Sequence, residues 1–204
     1  MTASRTIVRR LSPERRREQI IDVARQCIAE QGLEKATVRA IAAACGVSIG
    51  TITYHFPTLD QLIVEALREA SRRFTEEVID KANSDRPAIE RLHFLLDHAL
   101  PDGGDSVSVW RLWLDYWGRA VRNPNLAALQ TERYHEMRSL IEHIIRDGIA
   151  RGEFRPLNAL DASIEIVALL DGVGLQVAIG DDTMSLERAH AILRAAVARL
   201  LPHT

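Results

Sequence analysis

The stretch that decides the fold runs from Thr37 to Leu62 and reads TVRAIAAACGVSIGTITYHFPTLDQL. Thr37 and Ser48 each precede a short apolar segment, and both residue types are common N-caps of helices. Gly46 lies between the two segments and suits a tight turn, because glycine accepts a positive φ. The stretch therefore predicts two short helices joined by a tight turn. This is the helix-turn-helix architecture, in which the second helix enters the major groove of DNA.

Helix punctuation continues on both sides of this stretch. Ser12 followed by proline predicts the start of a first helix, and Gly32 predicts its end. Thr58 with Gln61 predicts a capping box that begins a fourth helix. Five further helices are predicted at 86–100, 106–122, 124–151, 158–179 and 186–201. The expected fold class is all-α with about nine helices: an N-terminal three-helix head, residues 1–58, and a larger helical ligand-binding and dimerisation bundle, residues 59–204.

The composition is that of a folded protein with an uneven distribution of charge. Of 204 residues, 47% are hydrophobic and 26% are charged. Residues 1–60 carry nine basic and six acidic side chains, whereas the remaining residues carry 17 and 22. A basic N-terminal part on an acidic body is typical of a protein whose first part meets phosphate. No apolar stretch is long enough for a membrane helix and no secretory signal is evident, so we expect a cytoplasmic protein without a membrane partner.

The few metal-ligating and thiol side chains predict neither a metal site nor a redox site. Cys27 and Cys45 lie among alanine and isoleucine residues, and we expect both to be buried free thiols. His93 and Asp97 share a helix face and His98 is adjacent, but no third ligand stands at a fixed spacing. We therefore expect neither a metal nor a cofactor.

The head resembles the TetR family of repressors. The family pattern, apolar-Ala-x-x-x-Gly-Val-Ser-x-Gly-Thr-apolar-Tyr-x-His-Phe, is matched here by Ile41-Ala42 and by GVSIGTITYHF at residues 46–56. The similarity covers about residues 13–65. The body is similar, through WLDYW at 113–117 and LLDG at 169–172, to the branch that contains the choline-responsive repressor of the betaine pathway.

The resemblance and the helix geometry together imply a set of DNA contacts. The start of the second short helix would meet base edges, and residues near its end and at neighbouring caps would meet phosphates. The predicted DNA-binding residues are Thr37, Arg39, Ser48, Ile49, Gly50, Thr51, Thr53, Tyr54, His55 and Thr58. Many family members have tyrosine where this chain has Thr53 and lysine where it has Leu59. These departures shorten one expected backbone contact and remove one pairing with phosphate.

The last two long helices are expected to form a homodimer interface. The resemblance implies that residues 160–201 pair with the same segment of a second chain as four helices, so that two heads read a near-palindromic operator. The apolar residues between Leu169 and Ile179 are too many for one internal face. A further apolar stripe lies on the last helix and consists of Leu193, Ala196, Val197 and Leu200.

Three tryptophans on one helix stripe, Trp110, Trp113 and Trp117, suit either core packing or the wall of a ligand pocket. Asp171 lies in an apolar run, and a buried carboxylate needs a partner, either arginine, histidine or a ligand cation. The predicted ligand-binding residues are His93, Asp97, Trp110, Trp113, Tyr116, Trp117, Asp171 and Gln176. The resemblance points to an amine or quaternary ammonium effector, which would shift the fourth helix, residues 59–83, and release the DNA.

Two alternative functions were weighed against a DNA-binding regulator. An enzyme is not expected, because the chain has no glycine-rich phosphate loop, no nucleophile elbow and no histidine–cysteine pair at catalytic spacing. A helix-turn-helix used for protein contact is left open by Thr53 and Leu59, and it would show no salt-dependent DNA affinity. We expect a repressor, although activation differs only in where the operator lies relative to the promoter.

Overall fold

The computed structural model describes residues 11–82, 84–101 and 105–202, with the side chains of 71, 73–82, 105–109, 111 and 125 excepted. The described residues form nine helices, which confirms the predicted all-α class. In chain order these are α1 (Pro13–Gln31), α2 (Val38–Cys45), α3 (Ile49–His55), α4 (Leu59–Ala82), α5 (Ala88–Ala99), α6 (Asp105–Ala120), α7 (Pro124–Ala150), α8 (Ala159–Ile179) and α9 (Leu186–Leu200). Residues 1–10, part of the basic N-terminal segment, and residues 102–104, which lie between two predicted helices, are outside the described residues.

The chain divides into two compact units, residues 1–69 and 70–204. The expected boundary at residue 58 precedes α4, whereas residues 59–69 of α4 belong to the first unit. Leu62, Ile63 and Leu67 in this part of α4 are fully buried. Each unit is described below by itself.

The helix ends of the first unit follow the predicted caps. The Ser12 hydroxyl accepts a hydrogen bond from the Arg15 amide at 3.3 Å, and the Thr37 hydroxyl accepts one from the Ala40 amide at 3.1 Å. Gly32 has a φ of 82° and donates its N–H to the Ile28 carbonyl at 2.9 Å, which ends α1. These contacts satisfy backbone groups that a helix terminus leaves unpaired, so the boundaries are fixed by local chemistry.

The core of the first unit is apolar and continuous from α1 to α4. Its fully buried members come from all four helices and the α1–α2 loop: Ile20, Ala24, Ile28, Leu33, Ile41, Ile52, Leu62, Ile63 and Leu67. Arg17 lies at the edge of this core, with its guanidinium 5.0 Å from the Phe56 ring centroid and 3.2 Å from Glu65. Arg17 therefore holds α1 against the end of α3 and the start of α4.

Both cysteines are free thiols in the first unit. Cys45 is buried, as expected, whereas Cys27 is only half-buried. Burial raises the pKa of each thiol, so both are poor nucleophiles at neutral pH.

The core of the second unit lies between α5, α7, α8 and α9. Its fully buried members include Leu92, Leu95, Ile141, Ile144, Ile145, Phe154, Ile166, Leu193 and Val197. No stretch of the sequence was expected to be apolar enough for a membrane helix, but α8 is long and apolar enough to cross a membrane by length and composition alone, with a mean hydropathy of 1.7. Such a helix is also typical of a protein core, and α8 packs here against α6, α7 and α9.

The apolar stripe on α9 faces the core of its own subunit, which corrects its expected place in a dimer interface. Leu193 and Val197 are 1% exposed and Ala196 is 5% exposed. The stripe has the same helical period in either role, so the sequence could not distinguish them. The exposed positions of α9 instead carry small or charged side chains: Glu187, Arg188, Ala191, Arg194, Ala195, Ala198 and Arg199.

The turn after α7 ties that helix to the start of α5. Pro87 provides no side-chain cap, and the Ala88 amide donates instead to Glu153 Oε2 at 2.6 Å. Arg91, 3% exposed, pairs with Asp147 of α7. Although burial opposes ionisation, the hydrogen bond and charge of Arg91 hold the pKa of Asp147 below its usual value. A buried ion pair of this kind is costly to break from one side only.

Gly148 of α7 allows the Phe154 ring to fold back onto the helix. An added Cβ would lie 2.5 Å from two Phe154 ring carbons and 2.8 Å from the Ala88 Cβ, none of which can move freely. We expect Gly148→Ala to lower the free energy of unfolding by about 1–3 kcal/mol through overpacking. Chemical denaturation measures this change.

Gly118→Ala is the matched control, because a Cβ at Gly118 of α6 meets nothing within 4 Å. Alanine there should raise the free energy of unfolding by about 0.5–1 kcal/mol through its helix propensity. Equal effects of the two substitutions would show that Phe154 does not pack on Gly148 as described.

Candidate nucleic-acid interface and small-molecule site

The turn between α2 and α3 is built on Gly46. Its φ of 65° and ψ of 34° lie in the left-handed region, where a side chain would be strained. The amide of Gly46 donates to the Ala43 carbonyl at 3.1 Å, and the amide of Val47 donates to the Ala42 carbonyl at 3.0 Å. These bonds close the end of α2 and fix the direction in which α3 leaves the turn.

The hydroxyl groups at the start of α3 are engaged within the chain. Ser48 Oγ accepts from the Thr51 amide at 3.1 Å and lies 2.9 Å from Thr51 Oγ1. The Thr53 hydroxyl lies 3.3 Å from the carbonyl oxygens of both Ile49 and Gly50, to which it donates. Ser48 and Thr53 are exposed, so their remaining lone pairs face solvent. The positive end of the helix dipole remains beside Ser48.

Two large side chains of α3 are exposed without a structural role. Ile49 is 45% exposed and Tyr54 is 77% exposed. The ring of His55, half-buried, meets the Tyr54 ring edge-on with centroids 5.0 Å apart. Gly50 has helical backbone, and a Cβ there would make only an ordinary contact of 3.6 Å with Ser48 Oγ. Nothing described inside the unit therefore requires glycine at this position.

The remaining predicted DNA contacts lie at helix starts. Thr37 and Arg39 are exposed at the start of α2, and Thr58 is exposed at the start of α4. Thr58 accepts from the Gln61 amide at 3.2 Å, as the predicted cap requires. Leu59, the departure from the family pattern, is half-buried, so its side chain is partly used in packing.

In the second unit, Trp110 is fixed by two contacts. Its Nε1 donates to the Ala99 carbonyl at 2.8 Å, and its ring lies so close to Gly174 that a Cβ on that glycine would overlap it. The absence of a side chain at Gly174 thus leaves room for an indole ring of the same subunit. Trp110 is 8% exposed and its one donor is satisfied, which makes it a core residue that positions α6.

The other aromatic residues of α6 form two edge-to-face pairs. Trp110 and Trp117 have centroids 6.2 Å apart, and Trp113 and Tyr116 have centroids 5.6 Å apart. Tyr116 is fully buried and donates its hydroxyl to the Leu126 carbonyl. Trp117 Nε1 is buried and has no hydrogen-bond partner among the described residues. Trp117 therefore has a buried donor that remains available.

Asp171 of α8 has a partner within the chain that sequence analysis missed. The Tyr134 hydroxyl of α7 donates to Asp171 Oδ2 at 2.7 Å. Burial raises the pKa of Asp171, against this hydrogen bond and the charges of Arg133 and Arg138. Burial, followed by the bond to Asp171, raises the pKa of Tyr134 to about 12. Tyr134 therefore stays protonated at physiological pH and donates to the Asp171 carboxyl group.

Three further polar side chains of α7 surround this pair. The Arg133 guanidinium lies 4.1 Å from the Trp113 ring centroid, and the Arg138 guanidinium lies 5.1 Å from that of Tyr134. Gln130 is 8% exposed, and its amide nitrogen and oxygen have no partner at hydrogen-bonding geometry among the described residues. The amide lies close enough to the Tyr134 hydroxyl to lower its pKa. Residues 130, 133, 134 and 138 have the spacing of one stripe along a helix. This spacing was the one signal of the polar group in the sequence.

Some predicted ligand residues take part in other contacts. Asp97 of α5 lies 2.6 Å from the Arg194 guanidinium and 3.7 Å from His190 Nε2, both on α9. Gln176 Nε2 donates to the Gly172 carbonyl of its own helix at 3.1 Å. His93 is half-buried, and burial lowers its pKa. Among the residues that the structure describes, no three metal-ligating side chains come together.

Two family models match the chain. Residues 20–66 match the bacterial regulatory proteins of the tetR family, and residues 88–202 match the BetI-type transcriptional repressor C-terminal domain. The HTH-type transcriptional regulator BetI of Escherichia coli is 26% identical over 189 residues, which cover 92% of this chain and 94% of the relative. These relatives are transcriptional regulators and not enzymes.

Solved structures give the same result. A transcriptional regulator from Saccharomonospora viridis, solved in complex with choline, has a TM-score of 0.82 and 29% identity, covering 92% of this chain and 98% of its own. A transcriptional regulator from Pseudomonas aeruginosa PAO1 has a TM-score of 0.77 and 26% identity, covering 96% of both chains. The chain belongs to the TetR family of transcriptional regulators and has a BetI-type C-terminal domain, so it is a ligand-responsive DNA-binding regulator.

Proposed function

We propose that this chain is a cytoplasmic repressor that binds a near-palindromic operator as a homodimer and releases it when a small-molecule effector binds. The observation that carries the proposal is the surface of α3. It presents Ile49 and Tyr54 to solvent beside Gly50, which no described packing requires. A reading helix needs large exposed side chains for base and sugar contacts, and it needs small residues where the DNA backbone comes close.

The proposed DNA contacts differ in their chemistry, since some would be made to bases and others to phosphates. Ile49 would touch thymine methyl groups, and the hydroxyls of Ser48 and Thr51 would bond base edges or phosphates through the lone pairs that their mutual contact leaves free. Tyr54 would donate to a phosphate, with His55 beside it. The other proposed contacts, all exposed, are Thr37, Arg39, Gly50, Thr53 and Thr58. The Thr53 hydroxyl donates within its own helix, so it would have to rotate away from the Ile49 and Gly50 carbonyls to donate to a phosphate.

The outer face of α8 supports a dimer. Four large apolar residues on it are exposed: Leu160 at 46%, Ile164 at 38%, Leu175 at 38% and Ile179 at 66%. A Cβ at Gly172 on the same helix meets nothing within 4 Å. A row of exposed apolar side chains along one helix marks an interaction surface. The exposed alanines of α9 would let a partner helix approach closely, so we propose a homodimer through residues 160–201.

The effector would bind in the second unit. The choline complex of the Saccharomonospora viridis regulator supports a quaternary ammonium or amine compound. The aromatic residues of α6 and the carboxylate of Asp171 are groups of the kind that attract cations, although Trp113 already contacts Arg133 and Asp171 already accepts from Tyr134. The proposed ligand residues are His93, Asp97, Trp110, Trp113, Tyr116, Trp117, Asp171 and Gln176. Of these, His93 and Trp117 each have a buried ring nitrogen without a hydrogen-bond partner among the described residues. Release of DNA requires only that the effector prefer the conformation that fits the operator poorly.

Selection of genomic fragments with the purified protein at two salt concentrations tests the function. We expect a near-palindromic site, with affinity falling by about two orders of magnitude between roughly 50 and 200 mM salt, as neutralising about four phosphates implies. Tyr54→Ala should weaken binding to the selected site by about tenfold. Gln31→Ala, exposed at the end of α1, is the control and should bind normally.

Both variants should unfold within about 0.5 kcal/mol of the wild type, because both side chains are exposed. Selection of no site at either salt concentration would contradict the proposal. It would favour instead a helix-turn-helix used for protein contact, with Thr53 and Leu59 as marks of the lost DNA function.

Gly50→Ala separates stability from DNA binding. An alanine fits the described surroundings and should raise the free energy of unfolding by about 0.5–1 kcal/mol, because glycine is a poor helix former. The added methyl group should nevertheless weaken operator binding, since it would stand between α3 and the DNA. Thermal unfolding and fluorescence anisotropy with the selected operator measure the two effects. Unchanged or tighter DNA binding would remove Gly50 from the interface.

Leu175→Arg with Ile179→Arg tests the dimer. Placing two charges on the proposed interface should produce monomers at micromolar concentration, measured as molar mass by light scattering. Val121→Arg is the matched control, because Val121 is 88% exposed on the same unit and lies outside residues 160–201. A dimeric mass for the double variant would exclude this face of α8. Helical circular dichroism shows whether each variant remains folded.

A further inference from the structure

The buried polar groups around Tyr134 differ in how well they are satisfied. Tyr134 and Asp171 bond each other at 2.7 Å, and Arg133 lies over Trp113 at 4.1 Å. Gln130 and Trp117 keep buried polar atoms without partners among the described residues. Buried polar groups are nearly always paired, so unpaired ones on α6 and α7, two helices in contact, indicate an absent partner.

The features that attract a cation are already occupied within the chain. A guanidinium covers a face of Trp113, so a ligand ammonium cannot use that same face. The Asp171 carboxylate accepts from Tyr134 and lies in the field of Arg133 and Arg138. A ligand with a cationic group alone would therefore provide no hydrogen-bond partners for the unpaired buried atoms.

The groups that lack partners are mainly donors. They are the indole N–H of Trp117, the amide nitrogen of Gln130 and the Nε of Arg138, with the amide oxygen of Gln130 as the one acceptor. The charges near the cluster are two guanidinium groups, Arg133 and Arg138, the carboxylate of Asp171, and the exposed carboxylate of Glu136, which also acts on Arg133. A ligand carboxylate has two acceptor oxygens, which would pair the donors and the guanidinium of Arg133.

We propose that the effector carries a carboxylate, which is bound in the second unit by Arg133 together with Gln130 and Trp117. This inference rests on the proposed function and specifies the effector of the same site. If the effector also carries a quaternary ammonium group, the two charges make it a zwitterion. Arg133 is then the residue that determines specificity, because its planar guanidinium can bind both carboxylate oxygens.

Four probes of matched shape separate the two charged groups. Trimethylammonioacetate has both charges, choline has the cation and a hydroxyl, 3,3-dimethylbutanoate has the carboxylate alone, and 3,3-dimethylbutan-1-ol has neither. Binding is measured by calorimetry and by fluorescence of the three tryptophans, all of which lie on α6. Each carboxylate should bind about 30-fold or more tightly than its matching alcohol, as expected for a charge-assisted pair.

Three variants test the residues. Arg133→Met should reduce the carboxylate preference to about threefold or less. Gln130→Met, of similar shape, should weaken carboxylate binding and raise the melting temperature of the free protein, because a buried unpaired amide is lost. A purely structural role for Gln130 would instead lower the melting temperature. Arg146→Met is the control, since Arg146 is an arginine of the same helix with a side chain 68% exposed.

Carboxylate preference in the wild type, lost in Arg133→Met and kept in Arg146→Met, supports the inference. Equal binding of acids and alcohols, a preference that survives Arg133→Met, or no binding of either carboxylate at millimolar concentration overturns it. Operator binding is measured in parallel. If choline releases the operator as well as the carboxylates do, only this inference fails. If no operator is bound at all, the proposed function fails.

Discussion

The second unit depends on a crowded contact between the indole of Trp110 and the bare backbone of Gly174. The ring occupies the space that any side chain at position 174 would need, while its N–H bonds the Ala99 carbonyl at 2.8 Å. This one side chain therefore sets α6 against both α5 and α8. Trp113 follows one turn later on α6, and its position decides where the Arg133 guanidinium can stack. A change at Gly174 would thus be transmitted to the charged cluster without touching it.

The head relies on a different principle, because its helix ends are closed by short-range bonds. Thr37, Ser48 and Thr58 each cap the helix that follows, and Gly46 closes the one that precedes the turn. Since these groups and the apolar core account for the described structure, the exposed side chains on α3 have no part in holding it together. Exposure without a structural role is the physical sign of a surface reserved for another molecule.

The difference between local helix caps and long-range side-chain contacts explains which features could be predicted from the sequence. Caps and glycine turns act over three or four residues, so the helix boundaries of the head were predicted to within a residue or two. The Tyr134–Asp171 bond joins residues 37 apart, and no local pattern reports it. Sequence reasoning recognised that Asp171 needs a partner but left arginine, histidine and a ligand open. The tyrosine that bonds it, and the arginine stacked on Trp113, became visible only when α6, α7 and α8 were packed together.

The stripe on α9 shows a second limit of periodicity. Leu193 and Val197 have the spacing of an interface and of a core alike, and they are buried in their own subunit. The two helices differ in their exposed residues: alanine, arginine and Glu187 on α9, whereas α8 exposes leucine and isoleucine together with Asp161, Glu165, Ala168 and Gly172. α8 therefore presents an exposed apolar face, and α9 beside it presents a face of small residues. Together they form a surface on which the same two helices of a second chain could be buried.

Unpaired buried donors lower the stability of the free protein, and a sensor can make use of that cost. A ligand that supplies the missing acceptors gains the free energy of those bonds only in the conformation that holds the donors close together. If DNA favours a conformation in which the donors stand apart, the effector and DNA oppose each other's binding. The size of this effect is the difference between the two conformations in the free energy of the effector's hydrogen bonds. Replacing the unpaired polar side chains by apolar ones would make the protein more stable. It would also remove the difference in hydrogen bonding between the two conformations, on which such a response depends. In the proposed effector site, the unpaired atoms of Gln130 and Trp117 would supply this difference between the conformations.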